Sequence, residues 1–153
     1  MAKKLKIHDK DKGMRVLLKA LSAAKTPVVA VGVLGDGGKY DDDGPTVLQV
    51  ATEHEFGIGV PKRSFIRDTV DINRDKILKR LRNAARVSLK DPNGSAVAMA
   101  RIGLYVEGVI KRRIAAGISP ANSQETIDRK GSSKPLIDTG QLRNSIASEV
   151  RTR

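Results

Sequence analysis

Apolar residues recur at helical spacing in five stretches of the chain, and this pattern predicts most of its secondary structure. Residues 14–24 and 46–55 predict two short helices, and residues 64–90 and 95–116 predict two long ones. A last short helix is predicted over 139–145. Glycine or proline closely follows each of the first four stretches, as expected where a helix ends.

One stretch has the composition of a strand instead. Residues 28–34 are uncharged and rich in β-branched side chains, which predicts a strand buried on both faces. Residues 146–150 predict a closing strand beside it. Because an isolated two-stranded sheet is only marginally stable, we expect a third strand from residues 57–61, from residues 3–7 or from a neighbouring subunit. The elements predict an α+β fold, with a small antiparallel sheet covered by helices, two of them long.

Three stretches lack periodic apolar residues and predict irregular structure. Residues 1–13 are expected to form a polar N-terminal arm, and the glycine- and aspartate-rich residues 35–45 a loop. Residues 117–138 contain two prolines and few apolar residues, which predicts a long mobile loop or arm. Such a loop in a compact domain is usually functional or an interaction arm. The length of the chain fits a single domain over residues 1–153.

A corner between two predicted helices is the most distinctive local pattern. Phe56 and Gly57 end the first helix, since glycine adopts the left-handed cap conformation at little cost. Pro61 fixes an extended entry to the next helix. Phe56 and Phe65 are the only phenylalanines in the chain, and we expect both to anchor the core.

Composition limits the cellular setting and the chemistry. The chain has no cysteine, which excludes disulfides and thiol catalysis. No apolar run approaches the ~20 residues that a membrane helix needs. The first 13 residues lack the apolar core of a signal peptide. We therefore expect a protein of the cytoplasm, or of a particle assembled there, without membrane contact.

The charge of the chain is unevenly distributed. The net charge is +12, which favours a polyanionic partner or an acidic protein surface. Residues 62–90 hold ten bases and three acids, a net charge of +7, whereas residues 35–58 hold one base and six acids, a net charge of −5. These patches suit head-to-tail self-association, which closes into a ring when the rotation permits. The alternative is a solvated basic face without a partner.

Three patterns approach catalytic or ligand-binding motifs, and each fails. A phosphate-binding loop would need glycine at position 33 and a hydroxyl side chain next to Lys39, where the chain has Val33 and Tyr40. The adjacent aspartates 41–43 lack the alternation of a calcium loop. A zinc-protease helix would need a second histidine at the position of Ile58. We therefore expect no enzyme activity, no cofactor and no metal.

Three motifs, in order along the chain, carry a resemblance to a known family. They are ATEHEFG at 51–57, VPKRSFIR at 60–67 and KPLIDTGQLRNSI at 134–146, and the strand sequence VAVGV at 29–33 precedes them. The chain resembles the tail-completion, or neck, proteins of tailed bacteriophages. In that family a hydrophobic strand precedes a helix ending in H/N-E-F-G, a corner I-P-x-R-P-F-(L/I)-R follows, and P-L-x-x-T-G-x-L-R-x-S-I closes the domain. Residues 62–64 depart from the family's Ala-Arg-Pro, and the insert 36–45 and the N-terminal arm are unmatched.

The resemblance implies a structural virion protein without catalysis. Such a protein forms a ring of six or twelve copies at the head–tail junction, where it completes the tail end around the DNA channel. Its partners would be other copies of itself, the adjacent head connector or stopper proteins, and the tail tube or terminator proteins. Its location would be the virion neck or tail, after assembly in the host cytoplasm. The arm 117–138 would become ordered on docking to a neighbour.

The resemblance also implies roles for individual residues. A structural corner would be built by Phe56, Gly57, Pro61, Phe65, Gly140 and Leu142. At the motifs, contacts with neighbouring subunits or with DNA phosphates would be made by Arg63, Arg67 and Arg143. The basic segment 62–90 adds Arg74, Lys79, Arg82 and Arg86 as candidates for the same contacts.

A second class of function also fits the basic segment 62–90. A small protein could use this helix to bind DNA without sequence preference, through phosphates, with a steep dependence on salt. The low aromatic content, 3%, argues against base stacking as the mode of binding.

Overall fold

The computed structural model describes residues 15, 27–91 and 94–152. The predicted arm 1–13, the predicted helix 14–24 apart from Arg15, and the strand considered at 3–7 lie outside these residues. The described part contains two strands, β1 (Pro27–Val33) and β2 (Ile146–Thr152), and the helices α1 (Val47–Phe56), α2 (Arg67–Ile72), α3 (Arg74–Lys90), α4 (Gly94–Ala116), α5 (Gln124–Lys130) and α6 (Gln141–Ser145).

The two strands pair antiparallel along their whole length. Val29 lies opposite Val150, and Val33 lies opposite Ile146. The predicted α+β class, with a small antiparallel sheet and two long helices, is confirmed. Residues 57–61 form turns and bends, and the sheet of the described residues has two strands.

Helix α4 is the centre of the packing. It contacts both strands and also α3. Its buried residues Ile102, Val106, Ile110 and Ile114 follow one another at four-residue spacing, so that they line one face. At Gly103 the helix approaches the sheet so closely that a Cβ atom there would lie 2.7 Å from Val29 Cγ2. The absence of a side chain at this position therefore sets the distance between helix and sheet.

The expectation that the first strand is buried on both faces was wrong. Every residue of β1 is half-buried except Gly32, which is buried. The physical reason is that β1 has one strand partner in the described chain. Val29, Val31 and Val33 pack against the core, but each keeps part of its surface accessible.

The predicted helix over 64–90 is two helices in the structure. The first begins at Arg67 rather than at Ser64, and Asn73 separates it from α3. The Asn73 side chain donates to the Thr69 carbonyl at 2.8 Å and accepts from the Tyr105 hydroxyl at 3.4 Å. These local hydrogen bonds compete with a continuous helix, although the apolar spacing runs through both segments.

The predicted loop 117–138 contains helix α5. Ser123 caps its start by accepting a hydrogen bond from the Thr126 N–H at 3.3 Å. Ile118 and Leu136 are buried in the core at the two ends of the segment. The segment is therefore not loop throughout, and its mobility stays a prediction.

Helix boundaries marked by local signals are confirmed. Helix α1 has a capping box between Thr46 and Gln49 and ends at Gly57, whose φ is 77°. Helix α4 ends before Gly117 as predicted, and it begins at Gly94, one residue before the predicted start.

Replacing Gly103 should test the close approach of α4 to the sheet. We expect Gly103→Ala to lower the free energy of unfolding by about 1–3 kcal/mol, because the new methyl group overpacks against Val29 and Ser148. The matched control is Gly108→Ala on the same helix, where the nearest atom to a new Cβ is the flexible end of Arg112. This control should be neutral or stabilising by up to about 1 kcal/mol, since alanine favours helix. Urea denaturation measures both, and equal effects would contradict the close contact.

Candidate functional site

A buried carboxylate, Glu55, joins the first two motifs. It lies at the end of α1 and is 5% exposed. Its Oε1 accepts from the Ser64 hydroxyl at 2.7 Å and from the Arg67 N–H at 3.0 Å. Its Oε2 accepts from the N–H groups of Phe65 at 2.8 Å and Ile66 at 2.9 Å. The first N–H groups of a helix have no partner within it, so a side chain from α1 satisfies the start of α2.

Arg67 completes this arrangement from the solvent side. Its Nε lies 3.2 Å from Glu55 Oε1, and its Nη2 donates to the Glu55 carbonyl at 3.2 Å. Its guanidinium lies 4.5 Å from the centre of the Phe56 ring. A guanidinium over an aromatic face is an attractive arrangement, strongest where water is excluded. Arg67, predicted to contact a neighbour or DNA, is thus engaged within its own chain.

Of the two phenylalanines predicted to anchor the core, Phe65 is fully buried and Phe56 is 56% exposed. The prediction is confirmed for Phe65 and wrong for Phe56. The buried positions of α1 are Val47, Ala51 and Glu55, spaced four residues apart. Phe56 follows Glu55 by one residue, about 100° further around the helix, and so points away from the core.

Arg63 connects the corner to the segment before α5. It is 5% exposed, and its guanidinium donates to the carbonyls of Pro120 at 2.8 Å and Ala121 at 3.2 Å and to Asn122 Oδ1 at 3.4 Å. Burial lowers the pKa of Arg63, but a guanidinium remains protonated at neutral pH. Arg63 is therefore engaged within its own chain, and its contact with a neighbour or DNA stays a prediction.

The third motif packs against α1 through α6. Gly140, with φ 82°, starts helix α6, and Leu142 is buried against the core. Gln141 Nε2 donates to the Lys39 carbonyl at 2.8 Å, which ties the motif to the loop after β1. A cavity of about 320 Å³ lies between α1, this loop and α6. Gly140 and Leu142 thus belong to a segment that packs against α1, whereas Pro61 in the turn 57–62 is exposed.

The remaining predicted contact residues lie on the surface. Lys79, Arg82 and Arg86 are exposed at spacings of three and four residues, so they share one outward face of α3. Arg74 is exposed in the first turn of α3, and Arg143 is exposed on α6. None of these five cations pairs with a carboxylate among the residues that the structure describes. The structure thus places three of the predicted cations together and separates the other two from them.

Two of the candidate ligand sites from the sequence can be placed in the described part of the chain. Within it, no three histidine or acidic side chains are grouped so that they could hold a metal ion. The Lys39 ammonium, part of the near-miss phosphate loop, donates to the Asp42 carbonyl at 2.9 Å. Across residues 27–91 and 94–152, no helix is long and apolar enough to cross a membrane.

Comparison of the chain with protein-family models, with curated proteins and with solved structures gave no match. Function is therefore inferred from the residues and geometry of this chain.

Sequence reasoning did not find the role of Glu55. The sequence contained a signal for it, because Glu55 lies four residues after Ala51 and eight after Val47, on the apolar face of α1. An acid on such a face needs several hydrogen-bond donors opposite it. The signal does not say which donors these are.

Removing the charge of Glu55 should destabilise the fold. We expect Glu55→Gln to lower the free energy of unfolding by about 2–4 kcal/mol, because the amide keeps one acceptor and turns N–H donors toward the donors of Ser64 to Arg67. The control is Glu53→Gln on the same helix, which should change stability by less than about 0.5 kcal/mol. Urea denaturation at neutral pH compares the two. Equal small effects would contradict the capping role.

The stability difference between wild type and Glu55→Gln should also depend on pH. Burial alone would raise the pKa of Glu55, but the hydrogen bonds from Ile66, Ser64 and Arg67 together hold it below its ordinary value of 4.5. A carboxyl group whose pKa is depressed by folding stabilises the fold above its unfolded pKa, and this contribution disappears as the pH falls through its folded pKa.

We therefore expect the stability difference between wild type and Glu55→Gln to be constant from pH ~7 to ~5 and to shrink below pH ~4.5. Denaturation at graded pH measures this difference. The contribution of Glu107, whose pKa is also lowered, is present in both proteins and cancels. A difference that is independent of pH would show that the carboxylate charge is not what stabilises the corner.

Proposed function

We propose that this chain is a structural protein of the head–tail junction of a tailed bacteriophage. In this role, six or twelve copies form a ring that completes the tail end and joins it to the head around the DNA channel. The partners are the neighbouring copies, the head connector or stopper proteins, and the tail tube or terminator proteins. The protein is assembled in the host cytoplasm, becomes part of the virion, and catalyses no reaction.

The proposal rests on one observation, that the three motifs contact one another in the structure. Glu55, from the first motif, caps the helix that begins in the second. The third motif packs against α1 through α6. Residues that carry the family resemblance are thus the ones that hold the corner in shape, rather than a scattered set. This is what is expected of a motif whose role is to build a rigid assembly unit.

Exposed apolar side chains also support a role in assembly. Phe56 and Ile58 are both exposed at the corner. Val97 and Leu104 are exposed seven residues apart on one face of α4, and Leu104 is 64% exposed. Groups of exposed large apolar residues are typical of surfaces that become buried on association.

A second candidate function is supported by the exposed face of α3. Lys79, Arg82 and Arg86 carry three cations without carboxylate partners among the described residues. Such a row suits phosphate contacts that do not depend on base sequence. A DNA-binding protein of this kind would bind duplexes in the micromolar range, weakening steeply as salt is raised.

Silencing the gene in the phage that carries it tests the proposal. We expect electron microscopy to show DNA-filled heads beside unattached or aberrantly ended tails, because each part assembles but the junction does not. Expression of the wild-type chain from a plasmid should restore joined virions, which controls for effects on neighbouring genes. Joined virions in normal numbers without the protein would contradict the proposal. Binding of DNA at graded salt would then decide on the second candidate.

A further inference from the structure

Helix α3 has two apolar faces, of which one is covered. Its inner face, which includes Leu81 and Ala84, packs toward α4. A second strip, formed by Leu78, Ala85 and Leu89, is exposed at spacings of seven and four residues, and Leu89 is 56% exposed. This strip lies directly beside the row of Lys79, Arg82 and Arg86, which we call the basic ridge. Phosphate contacts would use the ridge but leave the strip uncovered, whereas a protein surface would cover both.

The loop between β1 and α1 carries acidic residues on a defined turn. The Tyr40 N–H donates to the Pro45 carbonyl at 3.2 Å, and the Gly44 N–H donates to the Asp41 carbonyl at 3.0 Å. Asp41, Asp42 and Asp43, which we call the acidic tip, are all exposed. Their carboxylates have no cationic partner in the part of the chain that the structure describes. The exposed Pro45 and half-buried Tyr40 supply apolar surface next to these charges.

Internal contacts remove three charged groups from the two charged segments. Glu55, Arg63 and Arg67 belong to the acidic and basic segments, but their charged groups are used within the corner. The basic ridge and the acidic tip remain exposed, and no ion pair joins them within one chain among the described residues. Their opposite charges fit each other across two copies.

We propose that the outer face of α3 is the docking site for the acidic tip of a second copy of this chain. The contact uses two different surfaces, so each copy offers one surface to the copy before it and the other to the copy after it. Because it names the surfaces by which copies meet, the inference rests on the proposed ring. The acidic tip belongs to the segment 36–45, which the family resemblance does not cover. The ridge carries the charge complementarity, and the strip of Leu78, Ala85 and Leu89 contributes apolar burial.

Charge reversal on each side tests the contact. One variant carries Asp41→Lys, Asp42→Lys and Asp43→Lys, and the other carries Lys79→Glu, Arg82→Glu and Arg86→Glu. We expect each variant alone to self-associate about tenfold or more weakly than wild type, since like charges then face each other. Sedimentation velocity over a concentration series measures this.

Mixing the two variants should restore association. The lysine tip of the first variant then faces the glutamate ridge of the second, and the unchanged surfaces form a native contact. Such a mixture alternates, so it closes only into rings with an even number of copies. A single chain that carries both sets of reversals should also associate like wild type. This recovery would show that the weak association of each variant does not arise from misfolding.

Matched controls reverse the same amount of charge elsewhere. Lys62→Glu, Arg112→Glu and Arg151→Glu change three exposed cations outside the ridge, and Asp68→Lys, Asp71→Lys and Glu149→Lys change three exposed acids outside the tip. Both control variants should associate within about twofold of wild type at physiological ionic strength, where the Debye length is about 8 Å.

Several outcomes would overturn the inference. These are a wild-type chain that stays monomeric up to about 100 µM, reversed variants that associate like wild type, or a mixture that does not recover. A ridge variant that loses DNA binding while its self-association is unchanged would assign the ridge to phosphates instead. If the mixture regains association but silencing still gives joined virions in normal numbers, the contact between copies is supported and the head–tail role is rejected. If charge reversal does not change self-association but silencing leaves heads and tails unjoined, the head–tail role is supported. The copies must then meet through other surfaces.

Discussion

The burial of one carboxylate sets the geometry of the corner. A buried charge is tolerated only when several donors surround it, and Glu55 has the hydroxyl of Ser64, three consecutive backbone N–H groups and Arg67. Those N–H groups belong to the start of α2, so satisfying the charge also fixes where α2 begins and how it leaves α1. Phe56 then lies on the outside of the turn, under Arg67. The start of α2, the position of Arg67 and the exposure of Phe56 follow from this one requirement.

The corner and the centre of the fold are stabilised in different ways. Helix α4 contacts the sheet through aliphatic side chains and one glycine, and this packing depends on shape. The corner depends on hydrogen bonds to two buried charged groups, Glu55 and Arg63. Hydrogen bonds of this kind have fixed directions, whereas aliphatic contacts permit small sliding movements. The orientation of the corner is therefore set by directional hydrogen bonds.

The sequence predicted what depends on neighbouring residues and missed what depends on distant ones. The ends of α1 and α4 were predictable because Gly57 and Gly117 are local stop signals. The pairing of β1 with β2 was predictable from composition. The break at Asn73 was not, because apolar spacing continues across it and the competing hydrogen bonds include one from Tyr105, 32 residues away. The anchoring of residues 120–122 was also hidden, since it depends on Arg63, 57–59 residues earlier.

Arg63 has a mechanical consequence. Its backbone N–H donates to the His54 carbonyl at 2.7 Å, while its side chain holds the carbonyls of Pro120 and Ala121. A force that pulls on the segment before α5 therefore passes through the guanidinium to the last turns of α1. Three hydrogen bonds from the guanidinium, of 2.8, 3.2 and 3.4 Å, share that load before the segment separates. A displacement of residues 120–122 would accordingly move the corner with it. It would not be confined to the segment before α5.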